Sequence, residues 1–451
     1  MTETTELSTD FIDQILSHLL VDTQKFESIQ DDAAAAIAQL EGPLDLSGLK
    51  SLSDASAQAL SGHCGDLYLS SLESLSDAAA EALSSHCGDI HLGGLKTLSD
   101  TAAEALSKLP WGLRLGGLKS ISDQALKSLA KHQVYLDLGG LEEITHDQAG
   151  MIAAHQGEIH LGGVTRITDG IAELLGRHNG SLGLRGLSHI SDAAAKSLAG
   201  VQGILYLGGL ESLSDAAAEA LSAHVGGLGL RNLTSISDAV AQSLAKHLGP
   251  IHLGGLTSLS LASALALANH QFGIHFGGIH DLPDEVLAAL AHHQGPMQLE
   301  GLKNISLAGA QALASHRFGI HLGGLEDVSE EVVMTLARHQ GDMHLGGLQT
   351  LSDQESEALG NHQGRLDLSG LVTISDSVAR NLARHKGYLS LAGLTSISDS
   401  AADEFSGHFG SLDLSGVTSL SKYAREALAK HTGVLNLGRF NEEMLQRMAM
   451  N

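Results

Sequence analysis

Aromatic residues make up only 3% of this 451-residue chain, although its apolar fraction is 43%. A core made from such a composition has to rely on Leu, Ile and Ala. Small, uniform side chains suit a thin repetitive structure better than one large globular core. Cysteine is nearly absent, and two residues are too few for a disulfide framework. Basic residues are scarce as well. There are 26 Lys and Arg against 52 Asp and Glu, a formal net charge of −26. That field repels nucleic-acid phosphates and anionic lipid, so neither is expected as a partner, whereas a basic protein surface is. No apolar run approaches the roughly 18 residues that a membrane span requires. The first residues, MTETTELSTDFIDQILSHLLVD, are acidic and amphipathic and lack the basic start and apolar run of a secretory signal. The expectation is a cytoplasmic protein, with export by a signal-free route left open.

What the chain has is self-similarity. From Leu44 to Val434 a 23-residue unit recurs 17 times without insertion or deletion. It reads L-x-L-x-G-L-x-x-[LI]-S-D-x-A-A-x-A-L-A-x-H-x-G-x, and LYLGGLESLSDAAAEALSAHVGG, from Leu205 to Gly227, shows it cleanly. An incomplete unit begins at Leu435. Upstream, FESIQDDAAAAIAQLEGP keeps the second half of the pattern, with Phe26, Ile29 and Asp31 in phase. The expected organisation is a capping helix over 8–20 and a half repeat within residues 1–43. Seventeen repeats follow over 44–434, then a partial repeat and cap over 435–451.

Each unit has a physical reading. Positions 1–3 alternate apolar and variable, as a short strand with one buried face does. Position 5 is Gly in 15 of 17 units, where the chain must turn tightly or approach another backbone. Position 10 is Ser or Thr in 16 units, the residue type of a helix N-cap. Position 11 is acidic in 13, which suits the positive end of a helix dipole. Positions 13, 14 and 17 form a narrow Ala-Ala-Leu stripe. Position 22 is Gly in 13 units, which predicts a left-handed helix cap. The unit is therefore strand, turn, short helix, turn.

This pattern resembles the leucine-rich repeat family, in particular its cysteine-containing and bacterial type. LDLSGLKSLSDASAQALS in the first unit and LGGLEEITHDQAGMIAA in the fifth carry the resemblance. It departs from that family where Leu, Ile or Val at position 6 replaces the Asn or Cys that ends the family's strand segment. The resemblance implies an α/β fold, a right-handed leucine-rich-repeat-like solenoid with a parallel sheet on its concave side and short helices on its convex side. It also implies a protein-binding role.

Position 20 is His in 15 units: His63, His86, His132, His155, His178, His224, His247, His270, His293, His316, His339, His362, His385, His408 and His431. Counted from Leu at 17 and Ala at 13, it falls on the buried helical stripe. The two exceptions, Leu109 and Val201, are apolar; a packed position tolerates that exchange and a metal ligand does not. The expectation is a structural ladder. Cys64 and Cys87 follow His63 and His86 in adjacent units. A Cys2His2 zinc site and a stacked disulfide are both conceivable there, beside the plainer reading of small fillers.

Position 2 lies between the two buried strand leucines and faces the open side of the sheet. His252, His275, His321 and His344 flank Gln298 there, and Arg185 and Arg231, at position 4, stand on either side of Tyr206. Arg and Tyr are over-represented in binding hot spots. No nucleophile, base and orienting group come together in the sequence, so neither catalytic residues, a cofactor nor a resident metal is expected. The leading expectation is a non-enzymatic scaffold, monomer or dimer, that binds a protein through Arg185, Tyr206, Arg231 and the neighbouring histidines. Self-assembly of the regular repeats and transition-metal binding by surface histidines are the alternatives.

Overall fold

A computed structural model describes residues 6–8 and 23–438. Two compact units are distinguished, one ending at Leu230 and one starting at Arg231. In the first, nine two-residue strands run from Leu44–Asp45 to Leu228–Gly229, each parallel to the next and shifted by one repeat. In the second, nine strands run in the same way from Ile251–His252 to Leu435–Asn436. A helix of seven or eight residues separates each strand from the next. The fold is an α/β leucine-rich-repeat-like solenoid.

The repeat pattern explains this local structure. Leu67, Leu69 and Leu72, at positions 1, 3 and 6 of one repeat, are fully buried, and so are Ala79, Ala80 and Leu83 on its helix. Each buried leucine contributes about 1.5–3 kcal/mol. The small alanines let the helix approach the strand layer closely. Ser76 caps that helix by accepting from the Ala79 amide at 2.9 Å, and equivalent caps recur at Ser53, Ser99 and Ser122. The same Ser hydroxyl donates to the first-turn carboxylate one repeat earlier: Ser76 to Asp54, Ser99 to Asp77, Ser214 to Asp192. The recurring spacing of Ser and Asp thus builds a ladder between repeats as well as a cap within each.

Two expectations change. The helices end at position 17 or 18, so the position 20 histidines lie beyond them, in the following turn. His63 is held there by its amide donating to Leu60 O at 3.1 Å. The position 22 glycines are not left-handed caps as a class. Helix ends stay right-handed, as at Ser61 with φ −62°. The glycines are needed for close approach: a Cβ on Gly180 would lie 1.9 Å from Gly157 O, and one on Gly364 2.1 Å from Gly341 O. A positive φ is confined to a few positions, of which Gly42, at +86°, is clearest.

Ahead of the first complete repeat, Phe26 is fully buried, Asp31–Ile37 is helical, and Glu6–Leu7 pairs in parallel with Ser28–Ile29. The expected helix over 8–20 and the C-terminal cap lie essentially outside the described residues.

Candidate functional site: the open face of the sheet

Alternation with period two puts positions 1 and 3 into the core and positions 2 and 4 on the opposite face. It also puts position 23, the residue before each strand, on that open face. The face therefore offers up to three side chains per repeat.

In the unit from Arg231 on, a continuous row forms. His252 and His275 meet edge to face, 5.6 Å between ring centroids. His275 Nε2 donates to Glu300 Oε2 at 3.0 Å, and the other oxygen of Glu300 lies 3.6 Å from His321 Nδ1. His321 stacks on His344 at 3.7 Å. His344 Nδ1 donates to Asp367 Oδ2 at 3.2 Å. Burial alone would raise the Asp367 pKa, but hydrogen bonds from His344 and Ser369 hold it below the usual carboxylate range. Burial lowers the pKa of His252, helped by the nearby charges of Arg231 and His275. Pro250, Gly273 and Pro296 line a recess of about 210 Å³ together with His252, His275 and Gln298. Further along, the Arg365 guanidinium lies 4.4 Å from the centroid of Tyr388.

In the unit ending at Leu230 the row is built differently. Tyr68 packs on His91 at 4.1 Å, and Arg114 Nε donates to His91 Nε2 at 3.3 Å. The Arg114 guanidinium sits 4.4 Å over Tyr135 and pairs with Asp89 at 3.7 Å. His160 lies 5.2 Å from Tyr135 and 5.4 Å from Tyr206, and its Nε2 donates to Glu158 at 2.5 Å. The reach from His160 to Tyr206 skips one strand. It requires glycine at 183, where a Cβ would come within 2.6 Å of the His160 ring. Arg185 covers Tyr206 at 4.8 Å. Arg185 and Arg231 are exposed, whereas Tyr206, His252, His275, His321 and His344 are half-buried.

The sequence reading missed the carboxylates and the position 23 rings. Glu300, the centre of one row, occupies a position 4 slot that is Gly or Ser in most repeats. Tyr135, Glu158, Arg365 and Tyr388 are all at position 23. Extending the period-two alternation one residue back across the repeat boundary finds them.

The position 20 histidines lie on the other side of the strands. All are buried except His431, which is half-buried. Neighbouring rings stack nearly parallel: His132–His155 and His155–His178 at 6.1 Å, His339–His362 at 6.2 Å and His408–His431 at 5.9 Å. Several Nε2 atoms donate to the carbonyl 21 residues earlier, as His63 does to Gly42 and His155 to Val134. Leu109 and Val201, which interrupt the ladder, are buried too. Burial, with the charge of adjacent rings, lowers the pKa of His270, His339 and His385 to about 4.

Among the described residues, no group of three or more His, Cys, Asp and Glu side chains is arranged to hold a metal ion. No helix among them is long and apolar enough to cross a membrane.

No protein-family model matches the chain, and no curated protein matches it either. Among solved structures, one similar to it is a leucine-rich-repeat protein of Leptospira interrogans. The two are 16% identical with a TM-score of 0.35, covering 86% of this chain and 98% of that one. Another is the structure of the Toll–Spatzle complex, described as a molecular hub in Drosophila development and innate immunity. There the identity is 15% and the TM-score 0.41, covering 81% of this chain and 49% of that one.

Proposed function

We propose that the chain is a non-enzymatic scaffold that binds a protein partner on the open face of its sheet. What supports this reading is the row from His252 to Asp367, with that from Tyr68 to Tyr206. The first is a continuous run of rings and charges on consecutive parallel strands, and the second runs over parallel strands in the same register, stepping across Gly183. Binding hot spots draw on such rings and on Arg, and a rigid backbone lowers the cost of ordering them. The net charge of −26 and the exposed Glu300 favour a partner with a basic surface. We place the partner in the cytoplasm with a monomeric or dimeric scaffold.

The experiment is affinity capture from cells of the source organism with quantitative mass spectrometry. Two open-face variants, Arg185→Ala/Tyr206→Ala and Glu300→Ala/His344→Ala, are compared with Glu285→Ala on the outer surface of a helix. Circular dichroism checks that each is folded. The proposal expects a partner retained by Glu285→Ala and lost from at least one open-face variant. Equal recovery by all three removes it.

A further inference from the structure

The only two cysteines of the chain occupy position 21 of its first two complete repeats. Cys64 and Cys87 are both free and both exposed. They also pair with each other as an isolated parallel β-bridge, separate from the strands proper. The bridge is fixed by the Gly65 amide donating to Cys87 O at 2.9 Å. Neighbouring strands lie about 4.8 Å apart, inside the window of about 4.4–6.8 Å between Cα atoms that a disulfide spans. The two side chains interact: the Cys87 thiol donating toward the Cys64 sulfur, then burial and the charge of Cys64, raise the pKa of Cys87.

The neighbours leave the chemistry to sulfur. His63 and His86 are buried, and their Nε2 atoms donate to Gly42 O and Gly65 O, both at 2.9 Å. Their rings stack on one another at 6.0 Å. A Cys2His2 zinc site would have to pull both rings out of the core. Asp66 accepts from the Asp89 amide, and Asp89 from the Gly112 amide. What remains on the surface is a vicinal pair of thiols.

We propose that Cys64 and Cys87 are a reversible redox site that closes to an intramolecular disulfide by exchange with a small-molecule disulfide such as oxidised glutathione. One cysteine, as thiolate, attacks a glutathione sulfur; a mixed disulfide forms and one glutathione thiolate leaves and takes up a proton. The second cysteine gives up its proton and attacks the protein sulfur of that mixed disulfide. The second glutathione leaves as thiolate and is protonated in turn. Two protein thiols are oxidised, one glutathione disulfide is reduced to two thiols, and no other reactant is needed. The bond staples the first two complete repeats, the end of the array where the regular pattern starts.

The test uses the full chain equilibrated with graded mixtures of oxidised and reduced glutathione, then acid-quenched, alkylated and weighed intact. The expected product is a monomer lighter by two hydrogens with no alkylatable thiol, reverting on addition of reduced glutathione. The mixed disulfide stays a minor species. Cys64→Ser and Cys87→Ser, each with unchanged circular dichroism, should instead stop at the glutathione adduct. The proposal is overturned if the parent chain keeps both thiols in excess oxidised glutathione. It is equally overturned if that chain accumulates the mixed adduct or oxidises only to dimers between chains.

Discussion

The imidazoles of His321 and His344 stack on the open sheet face with centroids 3.7 Å apart and planes inclined by 17°. Two rings so close cannot both take up a proton without repulsion. Burial and then the charge of His344 accordingly lower the pKa of His321, against the opposing pull of Glu300 and Asp367. Replacing His344 by Ala removes a positive neighbour, so the His321 pKa should rise. Titration of the His321 ring by NMR in the parent and His344→Ala chains measures this. An unchanged or lower value would mean that the two rings do not couple.

The buried ladder makes stability depend on pH in mild acid. An unfolded histidine titrates near 6.5, whereas folded His270, His339 and His385 do so at about 4. Between these values the unfolded chain binds more protons than the folded one, so stability falls as the pH falls. It is fully present above 6.5 and lost progressively as the pH drops toward the folded values. Thermal melts at constant ionic strength should show the midpoint dropping through this window. His339→Leu, which copies the natural apolar exchange at Leu109 and Val201, should flatten the slope. The same slope in both chains would remove the ladder as its source.

Much of this architecture could be read from the repeats. The Leu spacing gave the strand and its buried face, and Ser at position 10 gave the caps now seen at Ser53 and Ser76. The role of glycine at position 22 could not be read, because composition alone does not distinguish a left-handed φ from a close approach to a neighbouring chain segment. At Gly157 and Gly180 the requirement comes from the backbone one repeat earlier, where a Cβ would lie 1.9 Å from Val134 O and from Gly157 O. The open-face row was half legible. His275 and His321 stood out as a pattern, but Glu300, which links them, broke the rule of its position. A contact between repeats joins residues about 23 apart, and one repeat read alone hides it.

The glycine account makes a direct comparison possible. Gly180→Ala would place a methyl 1.9 Å from Gly157 O, whereas Gly162→Ala meets nothing within 4 Å. The first should lower stability by about 2–4 kcal/mol and the second by less than about 1 kcal/mol. Urea midpoints of the two variants measure the difference. Equal midpoints would show that the neighbouring backbone yields without cost.

The central claim is that the open face of the sheet carries the partner. A photo-crosslinking amino acid at Gln298, half-buried beside His275 and His321 in that face, tests it against the same group at exposed Glu285 on the helix Asp284–Leu290. After irradiation in cells of the source organism, the account predicts a discrete crosslinked protein from position 298 and none from position 285. Crosslinks from position 285 alone, or the same product from both, would contradict it.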